Sequence, residues 1–506
     1  MVTYSEIRKN AYFDSVTLML VSSEAEKTPG VQGAAVMMGT DHNKALMIKA
    51  GLLTEAQAPE FGANDLYIGI AAESEDAVEA ARSAITAQFD KKAGSADEDL
   101  SRTAKTVSSA AKKLPGANMC IVSLPGRYAK RAAMEAMKND LHVLLFSDNV
   151  SIDEENDLKD YALAHGLLMM GPDCGTAIIG GTALGFANVV RRGSVGLVAA
   201  AGTGLQEVTV ILDAMGSGIS EAIGTGGRDV REEIGGKMML FALDALENDP
   251  ETKVIGIISK PPAASVLEKI REKVRTFSKP VVACLLGAPK GWEAGSGIIA
   301  AATLKEAAQK LAEIDQDTVT FAGEPVLAAQ PAVSGSRKYV RGLYTGGTLC
   351  AESEIILTEK LGKIYSNIAH DPDLLLADPE TSKCHTLVDM GDDHFTDGMA
   401  HPMIDPRGRS DRLRRELEDP ETAVVLLDCV LGYGCHPDPA GEIANAVESV
   451  RTAGRELPLI VASVCGTDKD TQVRSQQEEK LRNAGIVVAK CNADAAEIAA
   501  AAAGIR

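Results

Sequence analysis

The tetrad Asp249-Pro-Glu-Thr252 stands just before an apolar run, Val254-Ile-Gly-Ile-Ile258, and recurs as Asp419-Pro-Glu-Thr422 before Val424-Val-Leu-Leu427. One repeat of four residues is weak, but its surroundings repeat in the same order. Upstream of each tetrad an apolar run ends in a Gly/Thr turn that opens a helical pattern. The first is Val195–Ala201 followed by Gly202-Thr-Gly204, with the helix continuing to Gly216. The second is Arg341-Gly-Leu-Tyr344 followed by Thr345-Gly-Gly-Thr348, with the helix ending near Gly362. Glu221–Asp229, with its Gly-rich centre, has a later counterpart in Thr386–His394. Lys279–Gly287 matches Leu457–Gly466, and each unit closes on an Ala-rich helix. Shared order over such a distance is the mark of a duplicated module. Short apolar runs alternating with helical patterns make that module α/β with a parallel sheet.

The Gly/Thr turns point to chemistry. Glycine lets backbone N–H groups approach a ligand, and a helix N-terminus offers unpaired N–H groups and partial positive charge. Both favour an anion such as phosphate. The candidate phosphate- and substrate-binding residues are therefore Gly202, Thr203, Gly204 and Gln206 in the first unit. Their counterparts in the second are Thr345, Gly346, Gly347 and Thr348. Gly226 and Gly227 join them from the Gly-rich loop, and Asp173 and Thr176 from the turn Gly171-Pro-Asp-Cys-Gly-Thr176, where doubly wound sheets bind ligands. Ordinary connections use glycine in the same way, so spacing alone leaves both readings of that turn open.

Composition narrows the class. With 506 residues the chain holds several domains. A net charge of −20 with no basic stripe argues against nucleic acid as a partner. No apolar run is long enough to span a bilayer, and the N-terminus lacks a signal-peptide pattern, so no membrane partner is expected. Nine cysteines without CxxC spacing read as reduced thiols of a cytoplasmic protein, and a structural zinc site is not expected. The expected fold is multidomain α/β. An N-terminal α/β domain covers 1–106 and a Rossmann-like domain 107–193. The first duplicated, flavodoxin-like domain covers 194–314, a linker rich in Ala, Pro and Gly 315–336, and the second duplicated domain 337–506. Strands are expected over 4–12, 33–38 and 65–70, with Asp14 capping the first helix and a polar linker or insertion over 91–106.

The order of these motifs resembles a known family. Gly171-Pro-Asp-Cys-Gly-Thr176, Val195–Glu207, Gly224-Thr-Gly-Gly-Arg-Asp229 and Asp249-Pro-Glu-Thr252 look like the α subunit of succinyl-CoA synthetase. The second module looks like the C-terminal domain of that enzyme's β subunit. Tyr12-Phe-Asp-Ser-Val16, Met37-Met-Gly-Thr40, Phe146-Ser-Asp-Asn-Val150, Gly342–Thr348 and His401-Pro-Met-Ile-Asp-Pro406 are similar to FdrA proteins, which fuse these parts in one chain. The resemblance implies a CoA-binding-type domain at 107–193 and two helices aimed at one phosphate site. It also implies companion subunits, a homo-oligomer, and an oxamate carbamoyltransferase of allantoin catabolism. In that reaction oxalurate and phosphate, both small anions, become oxamate and carbamoyl phosphate. Phosphate is then a substrate, while CoA and a divalent metal stay open as cofactors.

Two departures separate the chain from a synthetase. The loop Gly287-Ala-Pro-Lys-Gly-Trp-Glu-Ala-Gly-Ser-Gly297, where the family carries a phosphate-shuttling histidine, has none, and Glu293 stands roughly in its place. No ATP-grasp domain and no GxxxxGK[ST] loop is present. A transferase is therefore favoured over an acid–CoA ligase, which stays as the alternative beside a non-catalytic, metabolite-binding scaffold. The catalytic candidates are Glu207, Glu293 and Arg228, whose guanidinium either forks an anion or makes a salt bridge. Glu352 either complements its helix dipole or meets a substrate amide. Cys174 is a nucleophile or a small turn residue. Asp389, Asp392, Asp393, His394, His401 and Asp405 are a metal cluster or solvated loop residues, with no metal assigned. Cys435-His436 is a weaker loop candidate. Lys260, ending a strand, faces the switch point or merely closes a turn.

Overall fold

The computed structural model describes residues 2–11, 13, 15–96, 104–316, 337–396 and 399–504, which fall into two compact units, 1–110 and 111–506. In the first unit the fully buried strand Leu66–Ala72 lies between Val2–Arg8 and Val31–Met38 and runs antiparallel to both. Helices Ser15–Glu26, Asp41–Lys49 and Glu75–Ala96 complete it. The last of these carries the chain through part of the stretch read as a linker from Lys91. The proposed cap Asp14 lies outside the described residues, as does most of the 315–336 linker.

The second unit holds three sheets. Met119–Val122, His142–Leu145 and Met169–Met170 form a small parallel sheet. Helix Ile152–His165 follows its middle strand. It starts on a capping box, with Ser151 accepting from Glu154 N and Glu154 returning to Ser151 N, and it stops at left-handed Gly166.

The duplicated modules have the same strand order. In the first, Ile298–Ala301, Val281–Leu285, Val254–Ser259, Arg192–Ala199 and Ile219–Gly224 lie side by side and parallel. In the second, Val487–Ala489, Leu459–Cys465, Thr422–Val430, Tyr339–Tyr344 and Thr386–Asp389 repeat that order, with Tyr365–Ser366 added at one edge. Numbered along the chain, each reads 2-1-3-4-5, the flavodoxin-like order with its switch point between strands 1 and 3. The strands after the two tetrads are buried along their whole length, as central parallel strands must be. The first sheet starts further upstream than 194: the hairpin Thr176–Ile179 and Thr182–Gly185 adds to it antiparallel, next to Ile219–Gly224.

One apolar cluster spans both modules. Leu205, Val208 and Leu212 of the first share it with Leu349, Leu357, Ala495 and Ala499 of the second. Burial at this scale dominates the stability of the pair. It also fixes how the two Gly/Thr turns face each other.

Candidate functional site at the meeting of two helix N-termini

Helix Gly202–Ala214 starts after Ala201, and helix Gly347–Leu361 starts after Gly346; neither has a side-chain cap. The two starts abut. A Cβ placed on Gly204 would come within 2.7 Å of Thr348 Cγ2, and one on Gly346 within 2.8 Å of Thr203 Cγ2. Only glycine permits this approach, so the sequence brings two positive helix ends together. Among the described residues no acceptor meets the N–H groups of Gly202, Thr203, Gly204, Gly347 or Thr348.

Thr345 and Gly346 differ from this pattern. Asp428 accepts from Thr345 N at 2.9 Å, from Gly346 N at 2.8 Å and from Thr345 Oγ1 at 3.0 Å. Arg409 Nη1 donates to its Oδ1 at 2.8 Å, and both side chains are buried. The expectation that Thr345 and Gly346 hold a ligand is thereby corrected, because an internal carboxylate already takes those donors.

On the first module's side, Asp173, Thr176, Gly202, Gly226 and Gly227 line a common cavity, so five of the residues read from the sequence do converge. The cavity measures about 20 Å³, room for roughly one water molecule. Thr176 Oγ1 donates to Phe186 O at 2.9 Å and can only accept from a ligand. Asp173 is an exposed residue at the rim of this cavity. Desolvation in the cleft, and then the charges of Asp148 and Asp393, push its carboxyl up to about 6 against the pull of Arg228. Cys174 is buried, which pushes its thiol up to about 12; it is a turn residue and not a thiolate nucleophile.

The catalytic candidates are engaged in contacts within the protein. Arg228 Nη2 sits 2.9 Å from Glu155 Oε2 and donates to Val150 O at 2.8 Å. Beside it the fully buried Lys159 bridges Glu155 at 2.7 Å and Asp229 at 2.8 Å. Arg228 therefore belongs to an ion cluster that clamps helix Ile152–His165 to the Gly-rich loop. Glu207 Oε1 accepts from Asn492 N at 2.8 Å. Glu352 accepts from Leu304 N at 2.7 Å and from Asn492 Nδ2 at 2.8 Å, and burial pushes its carboxyl up to about 7. Both glutamates tie the two modules together, Glu207 through Asn492 and Glu352 through Leu304. Gln206 is likewise committed, donating to Asn188 Oδ1 at 3.0 Å. Glu293 is half-buried in its loop, and no contact among the described residues joins its carboxylate to the helix starts.

The proposed metal cluster is dispersed. Asp405 pairs with Arg407 at 2.7 Å and His394 is exposed. Among the described residues no three His, Cys, Asp or Glu side chains are placed to hold a metal ion. Two residues that the sequence flagged for other reasons do reach the helix junction. Lys260 makes no hydrogen bond or ion pair among the described residues, yet its charge is felt at Asp389, Cys350 and Glu354 of the second module. Asp389 packs against Gly347. Asp428 and Arg409 were missed, because nothing local distinguishes a strand aspartate that folds back on a turn.

Comparison with known proteins agrees with this architecture. A family model described as CoA-ligase matches residues 343–502, and one described as CoA binding domain matches residues 190–287. The second match falls on the first duplicated module and meets the 107–193 stretch only at residues 190–193. A model described as AllF, heavy metal-associated domain, matches residues 1–124. That stretch contains one cysteine, Cys120, and one histidine, His42, so it has no cysteine pair to hold a heavy metal. The uncharacterized protein YahF of Escherichia coli is 45% identical over 494 residues, 96% of this chain and 95% of that protein. The malate–CoA ligase α subunit of Methylorubrum extorquens is 31% identical over 224 residues, 42% of this chain and 73% of that subunit. The ADP-forming succinate–CoA ligase α subunit of Methanothermobacter thermautotrophicus is 26% identical over 174 residues, 34% of this chain and 58% of that subunit. No described helix is long and apolar enough to cross a membrane. The chain belongs to the succinyl-CoA synthetase-like family of acyl-CoA ligases.

Proposed function

We propose that the chain is an FdrA-type subunit of a carbamoyltransferase that works through phosphate. It would turn oxalurate and phosphate into oxamate and carbamoyl phosphate, together with companion subunits. The observation that carries this reading is the pair of open helix starts meeting at Gly204 and Thr348, in a chain whose loop Gly287–Gly297 has no histidine to carry phosphate. Phosphate held at the open N–H groups attacks the carbamoyl carbon directly. Fixed backbone dipoles stabilise the charge that develops, and holding both reactants removes the entropy of their encounter. The turn Gly171–Thr176 draws back to admit phosphate, since the cavity it closes is only about 20 Å³.

An acid–CoA ligase component is the second reading, and the matches to CoA-binding and CoA-ligase models favour it. The cavity at the glycine turns is far below the roughly 300–1,000 Å³ of cofactor pockets, so it does not by itself accommodate CoA. Turnover of oxalurate by the chain, with and without its co-purifying partners, separates the two. Phosphate-dependent release of oxamate and carbamoyl phosphate is expected. Acyl-CoA formation that needs ATP and CoA, with no oxalurate cleavage, would replace this reading by the ligase.

A further inference from the structure

Asp389 ends strand Thr386–Asp389 at the carboxyl edge of the second sheet, where open α/β sheets place their ligands. Asn367 pins its backbone from both sides: Asp389 N donates to Asn367 Oδ1 and Asn367 Nδ2 donates to Asp389 O, each at 2.9 Å. The residue is 8% exposed. Oδ1 accepts from Gly391 N at 2.9 Å. Oδ2 meets no donor among the described residues and is aimed at the first residue of the helix, where a Cβ on Gly347 would lie 2.3 Å away. A carboxylate oxygen that no protein donor takes, on a residue that keeps a small opening to solvent, is free to meet a ligand or a proton.

The groups around it come from every element packed there. Lys260 approaches from the first module, Cys350 from the helix, Asp392 from the following loop, Asp428 from strand Thr422–Val430, one strand further on, and Arg409 from helix Arg407–Glu418 against Asp428. His401 Nε2 and Asp389 Oδ1 lie 2.7 and 3.2 Å from the place a Cβ on Gly391 would take. Burial pushes the Asp389 carboxyl up to about 7. Gly391 N and Lys260 hold it down, and Asp392 and Asp428 push it further up.

We propose that Asp389 is the proton-transfer group of the phosphate reaction. The proposal rests on the carbamoyl-transfer reading above. An oxygen of hydrogen phosphate bonds to the carbamoyl carbon, and the bond from that carbon to the leaving amide nitrogen breaks. Asp389 takes the phosphate's proton and gives it to that nitrogen, so oxalurate and hydrogen phosphate become oxamate and carbamoyl phosphate with no other reactant. General acid–base catalysis of this kind contributes about 10²- to 10⁴-fold.

The test compares the full chain with its D389N and K260M variants, each with the companion subunits, at saturating phosphate across pH. D389N should lose about 10²- to 10⁴-fold in kcat. Its KM for oxalurate should stay within a few-fold, and phosphate should still raise its thermal stability. In K260M a lost positive charge favours the protonated carboxyl, so the acid limb of kcat should move to higher pH. A wild-type chain that turns over while D389N keeps its kcat overturns the proposal. Should D389N fail to fold, the K260M profile decides, and an unmoved limb overturns it. A wild-type chain with no phosphate-dependent turnover overturns the functional reading and takes this inference with it.

Discussion

The two modules share one topology but treat their glycine turns in opposite ways. Nine residues after the start of each tetrad the first module has Ile258 and the second Asp428. Ile258 offers only its carbonyl, to Ala200 N at 3.1 Å, and its side chain packs near Gly204. Asp428 puts its carboxylate into the turn, takes three donors from Thr345 and Gly346, and is neutralised by Arg409. One module leaves the N–H groups of its turn without an acceptor among the described residues, whereas the other takes them with a carboxylate of its own. An internal duplication can therefore look symmetric in sequence and still supply a single open turn. The second module's part is confined to the first N–H groups of its helix.

The comparison is broken most directly at Asp428. D428A leaves Arg409 buried without its carboxylate and strips two backbone donors of their acceptor. Losing one partner of a buried ion pair costs about 3–5 kcal/mol. Urea unfolding should show a drop of that size, and a loss under about 1 kcal/mol would mean that the closed turn contributes little.

The open turn is tested next. G204V drives a side chain into Thr348 and should separate the helix starts. Phosphate should raise the melting temperature by binding only the folded state, and this variant should lose that rise. T345A removes one hydroxyl donor to Asp428 and leaves the open N–H groups untouched, so its phosphate-dependent rise should match that of the unmodified chain. Equal loss in both variants would restore a symmetric site.

Arg228 gives a smaller effect. It is 27% exposed, and its partner Glu155 keeps Lys159 at 2.7 Å. After allowance for solvent screening, R228A should cost about 1 kcal/mol, with KM for phosphate unchanged. A large rise in KM with unchanged stability would return Arg228 to the anion site.

What the sequence reveals of all this follows the range of the interactions. Apolar runs such as Val254–Ile258 read as buried parallel strands because each residue faces a helix layer, and that is a local property. The helix from Ser151 to His165 announces itself through its cap and its left-handed Gly166. The Gly/Thr turns mark the place where the helices meet. The partners of those turns are not legible: Asp428 is 83 residues from Thr345, and Asn492 is 285 from Glu207. A glutamate in a helix's first turns looks equally suited to a substrate and to a buried backbone N–H. Only the packing of the two modules decides that Glu207, Gln206 and Glu352 hold the protein together. The hairpin Thr176–Gly185 leaves no strand signal in the sequence, because each of its strands is only four residues long, too short to show a period.

The smallest expected signal is also the one that most sharply separates the open turn from a synthetase. A phosphohistidine mechanism needs an imidazole able to reach both helix starts. The loop Gly287–Gly297 reaches helix Gly347–Leu361, where a Cβ on Gly287 would lie 3.6 Å from Ile355 Cδ1, but it carries no histidine. His401 does stand near the junction. Its Nδ1 accepts from Met403 N at 3.2 Å, and burial pushes the ring down to about 4, so it is neutral at pH 7. Its Nε2 faces Gly391 in a packed loop, which leaves the ring no swing toward a donor. Glu293 would form an acyl phosphate on a half-buried loop, open to hydrolysis. Incubation with labelled carbamoyl phosphate or ATP, followed by denaturation, should therefore leave no stoichiometric label on the chain, with phosphate appearing only in product. Acid-labile label at one equivalent, lost in a His401→Gln variant, would show that the second module supplies a relay after all and that the two turns work as a pair.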